Sequence, residues 1–377
     1  MMRIAISGRY ILPRMEGIGR YTKEIITHLV SAQTEDDIHI ILDRDYQPAW
    51  LQALPVTIHV IRPPARHPWL WYFWYEISMP RLLARIQPDV LFCPEGYLSK
   101  RAQVPTLMTI HDLANQHFSQ GTYASHIRYL NKNIPSFIDR ADAIITVSGY
   151  TRREVMKTYS EAKEKTSVIH HGVGKEFRIL SEQEKTRVRH DLTGGRPYFL
   201  YLGALHPRKN IIRLIEAFEA YRERPEADHF LVLAGRLAWK SEEIKKKLEH
   251  THCKDYIIYE SEIDGRIPEI LGAATALCYV SLLEGFGLPV LEAMACGTPV
   301  ITSKDSAMQE VCDLAAIYVN PHRVKEISEA MIVVTRDPIL RARLVDYGVE
   351  RSNDFTWEDA AEKVYDLLSL TAESKKA

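Results

Sequence analysis

Short β-branched runs alternate with helical stretches from one end of the chain to the other, and this rhythm most narrows the fold. Arg3–Ser7, Ile38–Leu42, Val56–Ile61, Asp89–Cys93, Thr106–Ile110, Ala143–Val147 and Ser167–Ile169 read as strands. The rhythm restarts with Tyr198–Leu202, Phe230–Ala234, Tyr256–Tyr259, Ala276–Val280, Pro299–Thr302 and Ile317–Val319. Helical segments such as Gly19–Ser31 and Asn210–Arg222 lie between many of them. Parallel strands need crossover connections, so two doubly wound α/β domains are expected. The 377 residues also suit two domains at ~150 residues each. The break falls around residues 174–195, where Gly172 and Gly174 precede a charged helix, Glu182–His190, and Gly194-Gly195-Arg196-Pro197 follows. The expected division is 1–178 and 179–356, with a last helix over about 357–377. Ligands commonly bind between such domains.

Composition excludes several classes. With 46% apolar and 26% charged residues the chain is neither disordered nor fibrous. Its longest apolar runs, such as Ala273–Leu283, fall short of the ~20 residues of a membrane span. Charged, apolar and small-residue regions of a signal peptide are not seen before the first strand. The five cysteines (93, 253, 278, 296, 312) are scattered, which suits reduced core thiols in a cytoplasmic protein. A net charge of −1 argues against nucleic acid. The halves differ: residues 1–178 carry 22 Lys and Arg against 17 Asp and Glu, and residues 179–377 carry 26 against 32. The basic amino half suits an anionic partner or membrane surface.

The most informative stretch is Glu284-Gly285-Phe286-Gly287-Leu288-Pro289-Val290-Leu291-Glu292-Ala293-Met294-Ala295-Cys296-Gly297-Thr298-Pro299-Val300. It follows a strand, and open α/β sheets bind ligands at the carboxyl ends of their strands. Gly285 and Gly287 allow close backbone approach, and Pro289 suits a first helical turn. The free N–H groups of that turn would favour an anion. Glu292, about one turn in, is near enough to accept from sugar hydroxyls. Alone, the same residues also suit a tight turn with Glu292 complementing the helix dipole.

Taken whole, the phrase resembles the Glu-x7-Glu motif of retaining family 4 glycosyltransferases. The resemblance implies the GT-B architecture of two Rossmann-like domains facing across a cleft. It implies that Glu284 contacts the donor sugar, Glu292 the nucleotide ribose, and the Gly285–Leu288 backbone the sugar and diphosphate. Tyr201-Leu202-Gly203-Ala204-Leu205-His206-Pro207-Arg208-Lys209-Asn210 joins strand to helix with two adjacent cations. A departing nucleoside diphosphate needs such a clamp or a metal. The family similarly places a lysine here, matching Lys209. Many members carry an arginine directly after the glycine, where this chain has Ala204, so Arg208 is the second cation.

In the amino half, Gly17-Ile18-Gly19-Arg20-Tyr21 opens a helix but lacks the full dinucleotide fingerprint. The matching family segment lies near the donor phosphates and the acceptor, which marks Gly17 and Gly19. His111 ends a strand where the family has a histidine on the donor sugar. Val147-Ser148, His171-Gly172-Val173, the Gly235–Lys240 loop around Trp239, and Glu310 resemble further family positions. Phe355-Thr356-Trp357-Glu358 resembles the segment that returns to the first domain.

Two patterns compete. Asp43-Arg44-Asp45 fits a metal-binding D-x-D, but a solvated turn accounts for it as well. Trp69-Leu70-Trp71-Tyr72-Phe73-Trp74-Tyr75 suits membrane docking or a largely buried helix, the preferred reading. The expected activity is transfer of a hexose, mannose first, from a nucleotide sugar to a glycan or lipid-linked glycan without a metal. GDP-mannose is the first donor and a UDP-sugar the second. The expected place is the cytoplasm, with peripheral contact at the inner face of the membrane. A nucleotide-sugar epimerase or a non-catalytic nucleotide-sugar-binding subunit are the alternatives.

Overall fold

The computed structural model describes all residues except 33–34, 66, 118–123, 226, 239, 264 and 375–377. The chain divides into two compact units, Met1–Gly172 with Thr356 to the C-terminus, and Val173–Phe355.

The first unit is built on a seven-stranded sheet in the order β3-β2-β1-β4-β5-β6-β7. Its strands are β1 (Arg3–Ser7), β2 (Asp37–Leu42), β3 (Thr57–Val60), β4 (Val90–Cys93), β5 (Thr106–Ile110), β6 (Ala143–Thr146) and β7 (Thr166–Val168). The second unit carries β8 (Tyr198–Leu202), β9 (Phe230–Ala234), β10 (Ile257–Glu260), β11 (Ala276–Tyr279), β12 (Val300–Ser303) and β13 (Ala316–Val319), ordered β10-β9-β8-β11-β12-β13. Every pairing is parallel, as in Ile4 opposite both Ile38 and Val90. Helices cover both faces of such sheets, so the strands are apolar throughout rather than alternating. Ile4, Ala5 and Ile6 of β1 and Tyr198 through Tyr201 of β8 are fully buried accordingly.

Each sheet has one place where strand order reverses: between β1 and β4 in the first, and between β8 and β11 in the second. Neighbouring crossovers leave in opposite directions there, which opens a crevice at the carboxyl edge.

The helix Gly17–Ala32 buries Tyr21, Ile25, Ile26 and Leu29, and packs against the last helix, Trp357–Glu373. Thr356 caps that last helix by accepting from the Asp359 N–H at 3.1 Å. Gly172 meets the start of this helix so closely that a Cβ would lie 2.1 Å from the Trp357 nitrogen. All five cysteines are buried free thiols.

The aromatic run divides between two surroundings. Helix Pro68–Phe73 continues into a π turn, Trp74–Ser78. Trp71, Trp74 and Tyr75 enter the core, whereas Trp69, Tyr72 and Phe73 are 59%, 45% and 44% exposed. The expectation of a largely buried helix therefore holds for one face only. The i, i+3 spacing of Trp71 and Trp74 makes that face, and Trp69, Tyr72 and Phe73 fall on the other. Asp43 is buried and occupied. Its carboxylate takes the Arg44 guanidinium through both oxygens, at 2.6 and 2.7 Å, and the Ala65 N–H at 2.8 Å. It braces the turn after β2.

Candidate active site

In the second unit, the loops after β8 and β11 converge on one carboxylate. Glu284, 7% exposed, receives Lys209 Nζ on Oε1 at 2.5 Å and Arg208 Nη1 on Oε2 at 3.3 Å. Tyr279, the last residue of β11, joins the two: Lys209 Nζ donates to its hydroxyl at 2.7 Å, and that hydroxyl donates to Glu284 Oε1 at 3.3 Å. Burial alone would raise the Glu284 pKa, but the Lys209 and Arg208 charges outweigh it and hold the carboxyl at about 2. Glu284 is thus a fixed anion orienting two fixed cations.

The backbone is locked around them. Asn210 takes a left-handed φ of 63° at the start of helix Ile211–Arg222, and its amide donates to the carbonyls of Val280 at 3.1 Å and Pro321 at 2.6 Å. Arg208 donates to the Leu283 carbonyl at 2.7 Å, and the Leu282 N–H returns to the Arg208 carbonyl at 2.9 Å. Lys209 and Glu284 therefore sit on two loops tied to each other across the switch point of the sheet. This rigidity keeps preorganised charges effective.

Beyond Glu284, Gly287 carries a φ of +97° and precedes helix Leu288–Ala295. A Cβ there would lie 2.8 Å from Met308 Cγ, so both torsion and space require glycine. Phe286 is buried edge-on against Phe355 at 5.9 Å, which anchors the loop. Gly285 lies between Glu284 and this anchor. Glu292 is 2% exposed on the same helix. The first N–H groups of a helix have no partner within it, and this one begins within four residues of Glu284.

The loop Gly235–Lys240 has a packing role as well. A Cβ on Gly235, with φ +139°, would lie 2.1 Å from the Gly203 carbonyl oxygen. The Leu205 N–H donates to the Arg236 carbonyl at 2.8 Å, and Ala238 N–H to Leu205 at 3.1 Å, so the loops after β8 and β9 are zipped together. Trp239 lies outside the described residues. Glu310 sits on helix Ala307–Cys312, and its carbonyl accepts from Arg351 Nη2 at 3.1 Å.

In the first unit, His111 follows β5. Its Nε2 lies 2.7 Å from the Pro94 carbonyl. A carbonyl only accepts, so Nε2 carries the proton and Nδ1 is left as an acceptor when the ring is neutral. Burial lowers the pKa of His111, which keeps it neutral. Tyr21 meets its ring edge-on at 4.9 Å, and Tyr21 also stacks at 5.0 Å on His171, which lies between Tyr21 and Trp357. The hinge-like His171-Gly172 is thereby fastened to the start of the last helix. Gly17 opens its helix with space around it, whereas a Cβ on Gly19 would lie 2.5 Å from the Tyr10 carbonyl. Internal packing alone requires glycine at position 19. Ser148 is buried and caps helix Gly149–Thr158, accepting from the Thr151 N–H at 3.0 Å.

The sites expected from sequence thus form two groups. Arg208, Lys209, Glu284, the Gly285–Leu288 loop and Glu292 occupy one end of the second sheet, and Gly17, Gly19 and His111 belong to the first unit. Tyr279 escaped notice because a tyrosine inside an apolar strand reads as core. Its position as the last strand residue was the available signal. Among the described residues, no group of three or more His, Cys, Asp or Glu could hold a metal ion.

Comparison with known proteins agrees with this layout. The Glycosyltransferase Family 4 model matches residues 15–177, and the Glycosyl transferases group 1 model matches residues 182–351. O-antigen chain mannosyltransferase B of Escherichia coli is 25% identical over 98% of this chain and all of its own. O-antigen chain mannosyltransferase RfbU of Salmonella typhimurium is 27% identical over 74% of each chain. The crystal structure of Anabaena HepE, solved with UDP and glucose, superposes with a TM-score of 0.77 at 18% identity, over 98% of this chain and all of that one. These likenesses show the GT-B fold of two Rossmann-like units expected from the sequence.

Proposed function

The chain belongs to the glycosyltransferase families whose models span residues 15–177 and 182–351, and from that premise we propose a retaining hexosyltransferase that needs no metal. It moves mannose from GDP-mannose, with a UDP-sugar as the second candidate, to a hydroxyl of a glycan or lipid-linked glycan. The observation that carries this reading is the Lys209–Tyr279–Glu284–Arg208 constellation at the switch point of the second sheet. The mannosyltransferases among the relatives support the sugar.

The chemistry follows from the charges. As the glycosidic bond breaks, negative charge collects on the diphosphate. Lys209 supplies a point charge and Arg208 a fork, both already aimed and tied to rigid loops. The helix Leu288–Ala295 adds N–H groups from its first turn. Glu284 accepts from hydroxyls of the donor sugar, and Glu292 from the ribose. His111, neutral and protonated on Nε2, offers Nδ1 to a sugar hydroxyl.

The acceptor's proton needs a base. Glu284, with a pKa of about 2, is too weak. A phosphate, whose second pKa is near 6, is stronger by ~4 units. By the family resemblance the proton passes to the departing phosphate on the face from which it leaves, with retention at the anomeric carbon, and the weak basicity of Glu284 supports that reading.

The exposed Trp69, Tyr72 and Phe73 lie in the basic half, with Arg101 donating to the Tyr72 hydroxyl at 3.0 Å. Among the described residues no helix is long and apolar enough to cross a membrane. This patch supports a reading in which the enzyme touches anionic lipid at the inner face of the membrane.

The test is a transfer assay with GDP-mannose, UDP-glucose and UDP-GlcNAc against mannose- and GlcNAc-terminated lipid glycosides, run with EDTA. The expected result is an α-linked product from an α-linked donor, undiminished by chelation. A rearranged nucleotide sugar without acceptor would establish an epimerase. Activity lost to EDTA and restored by Mn²⁺ would overturn the metal-free mechanism.

A further inference from the structure

The loop that begins at Glu284 is held from two sides. Lys209 and Arg208 fix Glu284 itself. The middle of the loop rests on two apolar contacts: Phe286 meets Phe355 edge-on at 5.9 Å, and Gly287 packs so closely on Met308 that a Cβ would lie 2.8 Å from its Cγ. Phe286 and Phe355 are each 3% exposed, and Met308 is fully buried. These two supports stand on different elements. Met308 belongs to the helix Ala307–Cys312, and Phe355 follows the helix Pro338–Ser352. Arg351, in the last turn of the second helix, joins them. Its Nε donates to the Val311 carbonyl and its Nη2 to the Glu310 carbonyl, both at 3.1 Å, while the guanidinium lies 4.6 Å from the centre of the Phe355 ring.

The shape of arginine matters here more than its charge. A helix leaves its last four carbonyls without partners inside it. In Ala307–Cys312 the Gln309 carbonyl accepts from the Asp313 N–H at 3.0 Å and the Cys312 carbonyl from the Ala315 N–H at 2.8 Å, and Arg351 takes the two between. A planar fork reaches both carbonyls while turning its face to a ring, which a lysine ammonium cannot do. The ion pair that Arg351 Nη1 makes with Asp354 at 2.8 Å adds little, since the two side chains are 30% and 61% exposed. Phe355 is held at its backbone too, its carbonyl accepting from the Val173 N–H at 3.1 Å. Two routes therefore run from one guanidinium to adjacent residues of the loop, through Phe355 to Phe286 and through the helix of Met308 to Gly287.

We infer that Arg351 is a positioning residue for the loop Gly285–Leu288: it touches no reactant, and it holds the loop's backbone N–H groups where the donor needs them. What the loop binds rests on the glycosyltransferase reading, whereas the two routes stand on the packing of the second unit alone. Donors fixed before the reaction lose nothing to reorganisation during it, and a support shared by Phe286 and Gly287 supplies that fixity.

The experiment uses the full chain and three measurements on wild type, Arg351→Met and Arg351→Lys: amide hydrogen exchange by mass spectrometry, GDP and UDP binding by calorimetry, and kcat in the transfer assay. In Arg351→Met, which keeps the stem and loses the fork, residues 284–292 should exchange at least fivefold faster, because local opening becomes easier. The strand Phe230–Ala234 of the same unit should exchange as in wild type. The kcat should fall about tenfold, the scale of a slightly misplaced group, while nucleotide Kd stays within threefold because the Lys209 clamp is untouched. Arg351→Lys, with the charge and no fork, should lie between the two. Phe286→Leu combined with Arg351→Met should cost less than the two changes separately, since both act through one contact. Unchanged exchange at 284–292 overturns the inference. Equal acceleration at Phe230–Ala234 marks a merely structural role and overturns it too, as does a faster-exchanging loop with kcat unaltered. A wild type that binds neither nucleotide and transfers no sugar overturns the donor reading instead, and the exchange data alone then decide for or against Arg351. If Arg351→Met fails to fold, wild-type exchange at 284–292 in both Arg351→Lys and Phe355→Leu overturns the inference.

Discussion

Replacing Glu95 with glutamine should change how stability depends on pH. Burial pushes the Glu95 carboxyl up to about 7, against the opposing pull of Ser7, Arg9 and Tyr75, from a usual value of 4.5. Between those values the folded chain holds a proton that the unfolded chain has released, so stability falls as pH rises. At 1.36 kcal/mol per unit, the full window is worth about 3 kcal/mol, most of it between pH 5 and 7.5. The titratable neighbours Arg9, Tyr10, Tyr75, Tyr97 and Cys93 keep their own states across that range, since the arginine, the tyrosines and the thiol are all held above it. Glutamine retains a carbonyl for Ser7 and Tyr75 and has nothing to titrate. Urea unfolding at pH 5, 6, 7 and 8, followed by tryptophan fluorescence, measures the difference. Five of the six tryptophans, Trp50, Trp69, Trp71, Trp74 and Trp357, belong to the first unit, so the signal reports chiefly the part that changes. Glu95→Gln should gain on wild type with rising pH. A stability difference that is constant from pH 5 to 8 would refute the buried, protonated carboxyl.

Three further outcomes are expected. Glu284→Gln should lower kcat by about 100-fold, the scale for removing one preorganised group at the reacting centre. Because the folded Glu284 pKa is depressed, its contribution to stability is present above pH 4.5 and is lost as pH falls toward 2, so wild type should lose more on acidification than Glu284→Gln. Gly172→Ala should destabilise the first unit by about 3 kcal/mol, read as a drop in urea midpoint, since its Cβ drives the start of the last helix away. Changing Trp69, Tyr72 and Phe73 together to serine should abolish sedimentation with anionic vesicles while nucleotide binding stays intact; vesicle binding unaltered by the triple change would exclude that patch as the membrane contact.

Each of the thirteen strands appears within two residues of its expected place, because buried parallel strands are apolar on both faces and need no alternation to be seen. The second-unit site was legible for a related reason: Lys209 and Glu284 lie in the segments that follow β8 and β11, and each segment carries glycine, so local spacing carries information. Arg9 and Glu95 were not legible. A single arginine between Gly8 and Tyr10 has no pattern of its own, and the link from Ser7 to Glu95 spans 88 residues. Gly19 and Gly235 show the reverse. Their sequence context suggests room for a ligand, yet the atoms they approach are the carbonyls of Tyr10 and Gly203. The aromatic run likewise needed the helix it forms, since only the turn separates Trp71 and Trp74 from Trp69 and Phe73.

The central claim is that Lys209 and Glu284 mark the donor site, and nucleotide binding tests it most directly. Calorimetry and thermal unfolding with GDP, UDP, ADP and CMP, on wild type and Lys209→Ala, should single out one diphosphate, GDP first. At 100 times its Kd that ligand should stabilise wild type by ~2.7 kcal/mol and Lys209→Ala by much less. Equal protection of both proteins, or none of wild type by any of the four, would contradict the account.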